Sequence, residues 1–238
     1  MSDLLKIVKE RHSSRGPFDQ KRPLARSDLN KILEAARWAP TAHNMQNFEI
    51  IVVDDKQLLE KIGNTKYRVS EDFIRENYQQ LSFSKEELLK KKVGILGTMF
   101  PPSWRDSSKL GDAARESASR PVNQSINGSP VLLVLIYDPR KRAPASKGDA
   151  LGFMSIGCVM ENMWLMAHSL GIGMQIVSGF AEEPGAGEIK RILNIPEHMN
   201  IAFAVRLGYP VSQPAGYLRV RRDIDGFVHN NKYGNKTH

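Results

Sequence analysis

Apolar positions recur along this chain at two spacings, and the changes from one spacing to the other delimit its elements. Leu4, Leu5, Ile7 and Val8 keep helical spacing behind Ser2 and Asp3, which can cap, and predict a helix over residues 3 to 14 that Gly16-Pro17 stops. A second helix, capped by Ser27, puts Leu29, Ile32, Leu33 and Ala36 on one face and ends at Pro40. Residues 40 to 47 then form a loop. Phe48 to Val53, rich in β-branched residues and bounded by Asp54-Asp55, reads as a buried strand, and Lys56 to Ile62 as a short helix.

Residues 64 to 128 carry a weaker pattern, with a helix predicted over Tyr67 to Leu81 and another from Ser84, where Glu87 completes a capping box. From Pro101 to Pro130 the sequence is polar and broken. A long irregular insertion of this kind is expected to serve as a lid or a partner-contacting arm, with disorder in part of it as the alternative. The pattern sharpens at Val131 to Tyr137, an apolar strand ended by Asp138-Pro139. Leu151 to Leu170 is apolar nearly all round, which predicts a central buried helix closed by Gly171. Met174 to Val177 and Ile201 to Leu207 read as strands on either side of a helix marked by Ile189, Ile192 and Leu193. The tail, Arg219 to Asp225, reads as basic and extended.

Composition narrows the classes. The 238 residues, 41% of them hydrophobic, suit one large domain or two small ones with a real core. A single cysteine, Cys158, cannot pair within the chain, which favours a reducing compartment, and the cytoplasm is expected. No leader or membrane anchor is expected, because the run from Leu151 to Met160 meets Glu161 and Asn162 too soon to span a bilayer. The net charge of +8 invites anionic ligands, yet the basic residues are dispersed and aromatic residues make up only 8%, so no nucleic-acid partner is expected.

Several chemistries drop out on spacing. Gly171-Ile172-Gly173 has Ile176 where a dinucleotide turn needs its third glycine, and it follows a helix rather than a strand. No phosphate-binding Gly-Lys-Ser/Thr, zinc helix or Gly-x-Ser-x-Gly elbow occurs, and no metal site is expected. His168 is expected as a hydrogen-bonded core residue, and Asn162 as a structural amide bonded to the backbone of a neighbouring strand. What remains is Arg11-His12-Ser13-Ser14-Arg15, two guanidinium groups and three hydrogen-bonding residues suited to a phosphate or a polar heterocycle.

With three further stretches this motif resembles the FMN-dependent nitroreductase family, in the family's order along nearly the whole chain. The stretches are Pro40-Thr41-Ala42-His43-Asn44-Met45-Gln46-Asn47-Phe48 followed by a strand, Asn162 to Gly173, and Arg221-Arg222 through His229. Asn47 and Phe48 depart from the family's usual Pro and Trp.

The resemblance implies an α+β fold with a central mixed β-sheet flanked by helices, one nitroreductase-like domain over residues 1–238 with a lid or insertion at about 64–128, and an intertwined homodimer. It implies FMN as cofactor and NAD(P)H as reductant. Arg11 and Arg15 would face the FMN phosphate and ribityl chain, with His12 and Ser13 bonding through backbone and hydroxyl groups. Asn44 and Gln46 would face the flavin across a subunit boundary, Ser178 and Gly179 would offer backbone N–H groups toward N5, and Arg221 and Arg222 would close over the phosphate. The implied activity is transfer from NAD(P)H through FMN to a small-molecule electron acceptor, a nitroaromatic, quinone or related compound, by a ping-pong mechanism. Reductive dehalogenation, flavin breakdown and non-catalytic flavin or nucleic-acid binding are the alternatives. The flavin carries the chemistry, so no catalytic side chain is called for.

Overall fold

Val131–Tyr137 is buried along its whole length, as expected of a strand covered on both faces. The structure in which it sits is a computed structural model that describes residues 3–65, 70–97, 104, 106–119, 126, 128–144, 146, 148–181, 183, 185–211 and 218–236. In chain order the elements are α1 (Asp3–Glu10), α2 (Arg26–Arg37), β1 (Phe48–Val53), α3 (Lys56–Gly63), α4 (Glu71–Leu81), β2 (Ser82–Phe83), α5 (Lys85–Lys91), β3 (Ile95–Leu96), α6 (Leu110–Ser119), β4 (Val131–Tyr137), α7 (Ala150–Ser169), β5 (Gly173–Val177), α8 (Gly185–Ile192) and β6 (Asn200–Gly208). They fall into two compact units, Met1–Tyr67 with Arg120–Pro214, and Arg68–Ser119 with Ala215–His238.

The first unit is built on a four-stranded sheet in the order β1-β4-β6-β5, antiparallel at each ladder, with a register shift at Leu135/Ile136. Alternation along β4 splits the core in two. Val131, Leu133, Leu135 and Tyr137 join Leu29 and Ile32 of α2 and Ile156, Val159 and Met163 of α7, whereas Leu132, Val134 and Ile136 join Leu59 and Ile62 of α3 and Ile189 of α8. Parallel pairing comes from the bridge Ser13–Met174 on the outer edge of β5, and in the second unit from β2 with β3. The chain is therefore α+β, with helices and both kinds of strand pairing, as expected.

Local departures have local causes. α1 stops at Glu10 rather than at residue 14, because Ser13 and Ser14 leave the helix to pair with β5 and the Ser14 N–H donates to the Met174 carbonyl at 3.0 Å. α2 starts two residues early, with Ala25 rather than Ser27 in the N-cap position and no side-chain cap, so Ser27 lies inside it. Asn162 donates to the Ala35 carbonyl on α2 at 3.0 Å, a helix rather than the expected strand. α7 is the long central helix, and it is the one described helix long and apolar enough to cross a bilayer by composition. Its face of Ile156, Val159, Met163 and Ala167 is core, but Leu151, Phe153 and Met154 stay exposed, so burial is not all round.

α7 ends in a Schellman turn. Gly171, at φ +69°, donates to the His168 carbonyl, and Ile172 donates to that of Ala167. Glycine is needed again where the first unit closes over its sheet: Gly173 and Gly208 are cross-strand partners, and a Cβ on either would stand within 2.8 Å of the Phe18 ring or the Ser14 side chain. The two glycines make the slot in which Phe18 is buried, worth about 1.5–3 kcal/mol.

The second unit carries the expected capping box at Ser84 and Glu87, and α4 opens on Ser70, whose hydroxyl accepts from the Phe73 N–H. Its helix α6 falls in the stretch that reads as polar and broken, and the two-residue strands β2 and β3 are too short for any alternation to show. The tail bends through a 3-10 turn at Ile224–Gly226 instead of staying extended, and Lys92 of this unit pairs with Asp223.

Candidate functional site

The order β1-β4-β6-β5 leaves two outer edges, and the expected site residues of the first unit sort onto them. Arg11-His12-Ser13-Ser14-Arg15 runs along β5. Ser13 pairs with Met174 at an isolated bridge, while the Arg11 N–H still donates to the Ile7 carbonyl of α1 and the Arg15 N–H turns back to the Ser13 carbonyl at 3.1 Å, so the motif meets β5 at Ser13 and Ser14. Ser178 and Gly179 follow β5 directly in a 3-10 turn, Ser178–Ala181, about 13 Å along the same edge from Met174.

Two aromatic and charged neighbours hold the motif from the α7 side. The Arg11 guanidinium lies over the Trp164 ring, 4.5 Å from its centroid, and its Nε is 3.4 Å from the Glu161 carboxylate. Trp164 Nε1 donates to the His12 carbonyl at 3.1 Å. The opposite face supplies Arg206, 1% exposed, whose Nη2 donates to the carbonyls of Ser14 at 2.9 Å and Gly16 at 2.7 Å. Burial lowers the Arg206 guanidinium to about 10, still cationic at neutral pH.

His12 and Ser14 line a cavity of about 450 Å³ with Arg22, Trp164, His168 and Tyr209. The His12 Nδ1 proton goes to the Glu10 carbonyl at 3.0 Å, since a carbonyl can only accept. His168 is half-buried on the cavity wall, edge-on to His12 at 5.7 Å between centroids, rather than enclosed in the core. Arg22 lies flat on Tyr209 at 3.4 Å from its centroid.

Asn44 and Gln46 occupy the other edge, in the loop that enters β1. Three strand spacings, about 14 Å, separate that edge from the first. The loop is a 3-10 turn, Ala42–Asn44, in which His43, Asn44 and Gln46 all take positive φ, at 51°, 51° and 43°. Ser155 of α7 anchors it, its Oγ accepting from the Ala42 N–H at 3.0 Å. Gln46 Nε2 donates to Asn44 Oδ1 at 2.9 Å, so the two exposed amides act as a pair. Asn47 beneath them is 2% exposed, and neither atom of its carboxamide is hydrogen-bonded, at a cost on the order of 1–3 kcal/mol. At the loop's base Arg140 grips Asp138 through two side-chain bonds of 2.8 and 2.7 Å and holds its carboxyl well below the usual range.

Arg221 and Arg222 belong to the second unit and are exposed there. Arg221 Nη1 donates to the Val220 carbonyl, and Arg222 lies 5.6 Å from the centroid of Phe227. Three residues that matter to the first unit's edges do not stand out in the motifs. Arg206 had a signal, a charge inside the apolar run Ile201 to Leu207; Trp164 had a weaker one, a tryptophan with a donor on a buried helix face; Ser155 had none.

Comparison with known proteins gives a consistent answer. The sequence model of the Nitroreductase family matches residues 8–209. An NADPH-dependent oxidoreductase of Staphylococcus aureus (strain MRSA252) is 23% identical over 234 residues, covering 98% of this chain and 75% of that protein. Among solved structures, a nitroreductase with bound FMN from Bacteroides fragilis superposes with a TM-score of 0.58 at 20% identity, covering 98% of this chain and 100% of that one. An FMN-dependent nitroreductase from Clostridium difficile gives 0.59 at 17% identity over 96% and 99% of the two chains.

Proposed function

Since this chain belongs to the Nitroreductase family, we propose that it is an FMN-dependent NAD(P)H oxidoreductase whose cofactor lies along the outer edge of β5. The observation that carries this reading is the bridge between Ser13 and Met174, which places the Arg11 to Arg15 motif on the same edge that leads to Ser178-Gly179. That donor set fits the group. Two guanidinium forks and a hydroxyl suit a phosphate ester and polyol, and the backbone of a tight turn suits the edge of a neutral heterocycle.

Bound there, FMN would supply the hydride and electron transfer between NAD(P)H and a nitroaromatic, quinone or related acceptor, with one pocket serving both substrates in turn. The protein's own part is to bind and orient. Arg11, held by Trp164 and Glu161, and Arg15, exposed beside it, would take the phosphate and ribityl end together with His12 and Ser13. Ser178 and Gly179 would meet the ring edge with their backbone N–H groups.

Asn44 and Gln46 sit on the opposite outer edge of the sheet, and a second copy would bring its own pair to the cofactor edge. Exposed Leu4, Leu5 and Val8 on α1 and Phe153 and Met154 on α7 support a homodimer, because each leaves an apolar face open on the single chain.

The test is the absorbance spectrum of the purified protein with added FMN, followed by anaerobic titration with NADPH and NADH. A yellow protein whose 450-nm band bleaches with one equivalent of reductant is expected, and parallel double-reciprocal lines against acceptor. A protein that takes up no FMN overturns the proposal.

A further inference from the structure

We propose that Arg206 is a positioning residue for the cofactor edge, fixing the backbone that presents Arg11, Ser13 and Arg15 along β5; this rests on the FMN reading above. β6 alternates between two environments. Phe203, Val205 and Leu207 point into the core with α2 and α7, which turns Arg206 to the opposite face, beside its cross-strand partner Gln175. Burying a guanidinium there is unfavourable unless its N–H groups are used, and an apolar residue would pack at lower cost. The use made of them is specific. Nε donates to Gln175 Oε1 at 2.6 Å, Nη2 donates to the carbonyls of Ser14 and Gly16, and the Phe18 ring lies 4.4 Å from the guanidinium carbon.

Residues 14, 16 and 18 are alternate positions, so one planar group holds a length of chain rather than a point. The Arg206 contacts bracket Arg15, whose carbonyl neighbours on either side are both fixed. The run is pinned at the Ser13–Met174 bridge and again beyond Gly16, where the Pro17 carbonyl accepts from the Val211 N–H and Phe18 bridges to Pro210; the fork of Arg206 fixes the stretch between, Ser14 to Gly16. Lysine cannot replace it, because a single ammonium nitrogen does not span two carbonyls and an amide oxygen in one plane.

The experiment compares Arg206→Lys, Arg206→Met and Gln175→Ala with the wild type, all as apo-protein. FMN affinity is read by quenching of flavin fluorescence, thermal stability by unfolding, and the exchange rate of the Ser14 amide, bonded to the Met174 carbonyl, by hydrogen–deuterium exchange. Arg206→Lys and Arg206→Met are expected to weaken FMN at least tenfold and to speed Ser14 exchange. Gln175→Ala, which leaves both carbonyl bonds in place, is expected to lower the melting temperature but to change FMN affinity less than twofold. Wild-type affinity and Ser14 exchange in Arg206→Lys overturn the inference, as does a Gln175→Ala loss of affinity that tracks its loss of stability as in Arg206→Met. Should Arg206→Met not fold, Arg206→Lys decides. If the wild type itself takes up no FMN, the proposed function fails, and Ser14 exchange still decides whether Arg206 holds the strand.

Discussion

The two outer edges of the central sheet are prepared in opposite ways. Along β5, the motif Arg11 to Arg15 is held by long-range buried contacts, Trp164 from one face and Arg206 from the other, and its backbone polar groups are used. Along β1, the loop Ala42 to Gln46 is shaped by three residues in the left-handed region, over a buried Asn47 whose amide is unpartnered. Backbone strain and an orphaned amide each cost on the order of 1–3 kcal/mol. The contrast teaches a division of labour. The β5 edge is tied down by long-range contacts to α7 and β6 and suits the charged end of the proposed cofactor, whereas the β1 edge stores strain and exposes neutral amides.

The largest test of that division removes the charge. Arg11→Ala with Arg15→Ala takes away two charge-assisted contacts of about 1.5–3 kcal/mol each, so FMN affinity is expected to fall at least a hundredfold and the protein to purify colourless. Asn44→Ala with Gln46→Ala removes neutral hydrogen bonds and is expected to cost about tenfold. The reverse order, measured by flavin fluorescence titration, would break the comparison. Next comes the grip itself. Trp164→Phe keeps an aromatic ring under Arg11 but deletes the donor to the His12 carbonyl, and should destabilise the apo-protein by about 1 kcal/mol and weaken FMN severalfold, seen in urea unfolding and the same titration. No change in FMN affinity would show that the β5 edge needs no support from α7.

How much of this was legible in sequence follows the same split. β4 reads directly, because seven apolar residues ended by Asp138-Pro139 leave no other choice, and the Gly171 cap reads because only glycine takes φ +69° at no cost. The motif Arg11 to Arg15 reads as chemistry but not as conformation. Its helical spacing carries on from α1, and the pairing with β5 that ends the helix comes from 160 residues away along the chain. The contacts of Arg206 and Trp164 are equally remote, joining β6 and α7 to carbonyls near the start of the chain, and carbonyls carry no side-chain signature. In the β1 loop Asn44 and Gln46 read as motif positions, yet the left-handed backbone does not, since neither glutamine nor histidine announces a positive φ as glycine does.

That hidden backbone gives the third test. At φ 43° a β-carbon is penalised by about 1–2 kcal/mol, and the penalty is shared by glutamine and alanine but not glycine. Gln46→Gly is therefore expected to be more stable than Gln46→Ala by about 1 kcal/mol, after allowing for glycine's greater entropy in the unfolded chain. Both lack the amide, so both should bind FMN equally weakly. Equal stability of the two variants in urea unfolding would mean that the loop is not strained, and the contrast between the edges would lose its energetic half.

The smallest effect concerns the base of the β1 loop, where the Asp138 N–H donates to the Asn47 carbonyl and the Asp138 carboxylate receives the two-pronged Arg140 bond. That bond holds the Asp138 carboxyl well below its unfolded-state value, about 3.9. A depressed carboxylate stabilises the fold fully above the unfolded value, and the stabilisation is lost as pH falls through the folded one. Asp138→Asn should then be less stable than the wild type at pH 6, and the gap should narrow steadily below about pH 4, where the carboxylate of the unfolded chain takes up a proton that the folded one, held by Arg140, still refuses. Thermal unfolding of both proteins from pH 6 to pH 2.5 reads this directly. Because Arg206, lowered only to about 10, stays cationic throughout that range and donates to carbonyls, acid should loosen the Asp138 clamp before the Arg206 fork. A gap that stays constant with pH would mean that the ion pair adds nothing to the loop, leaving Ser155 as its anchor.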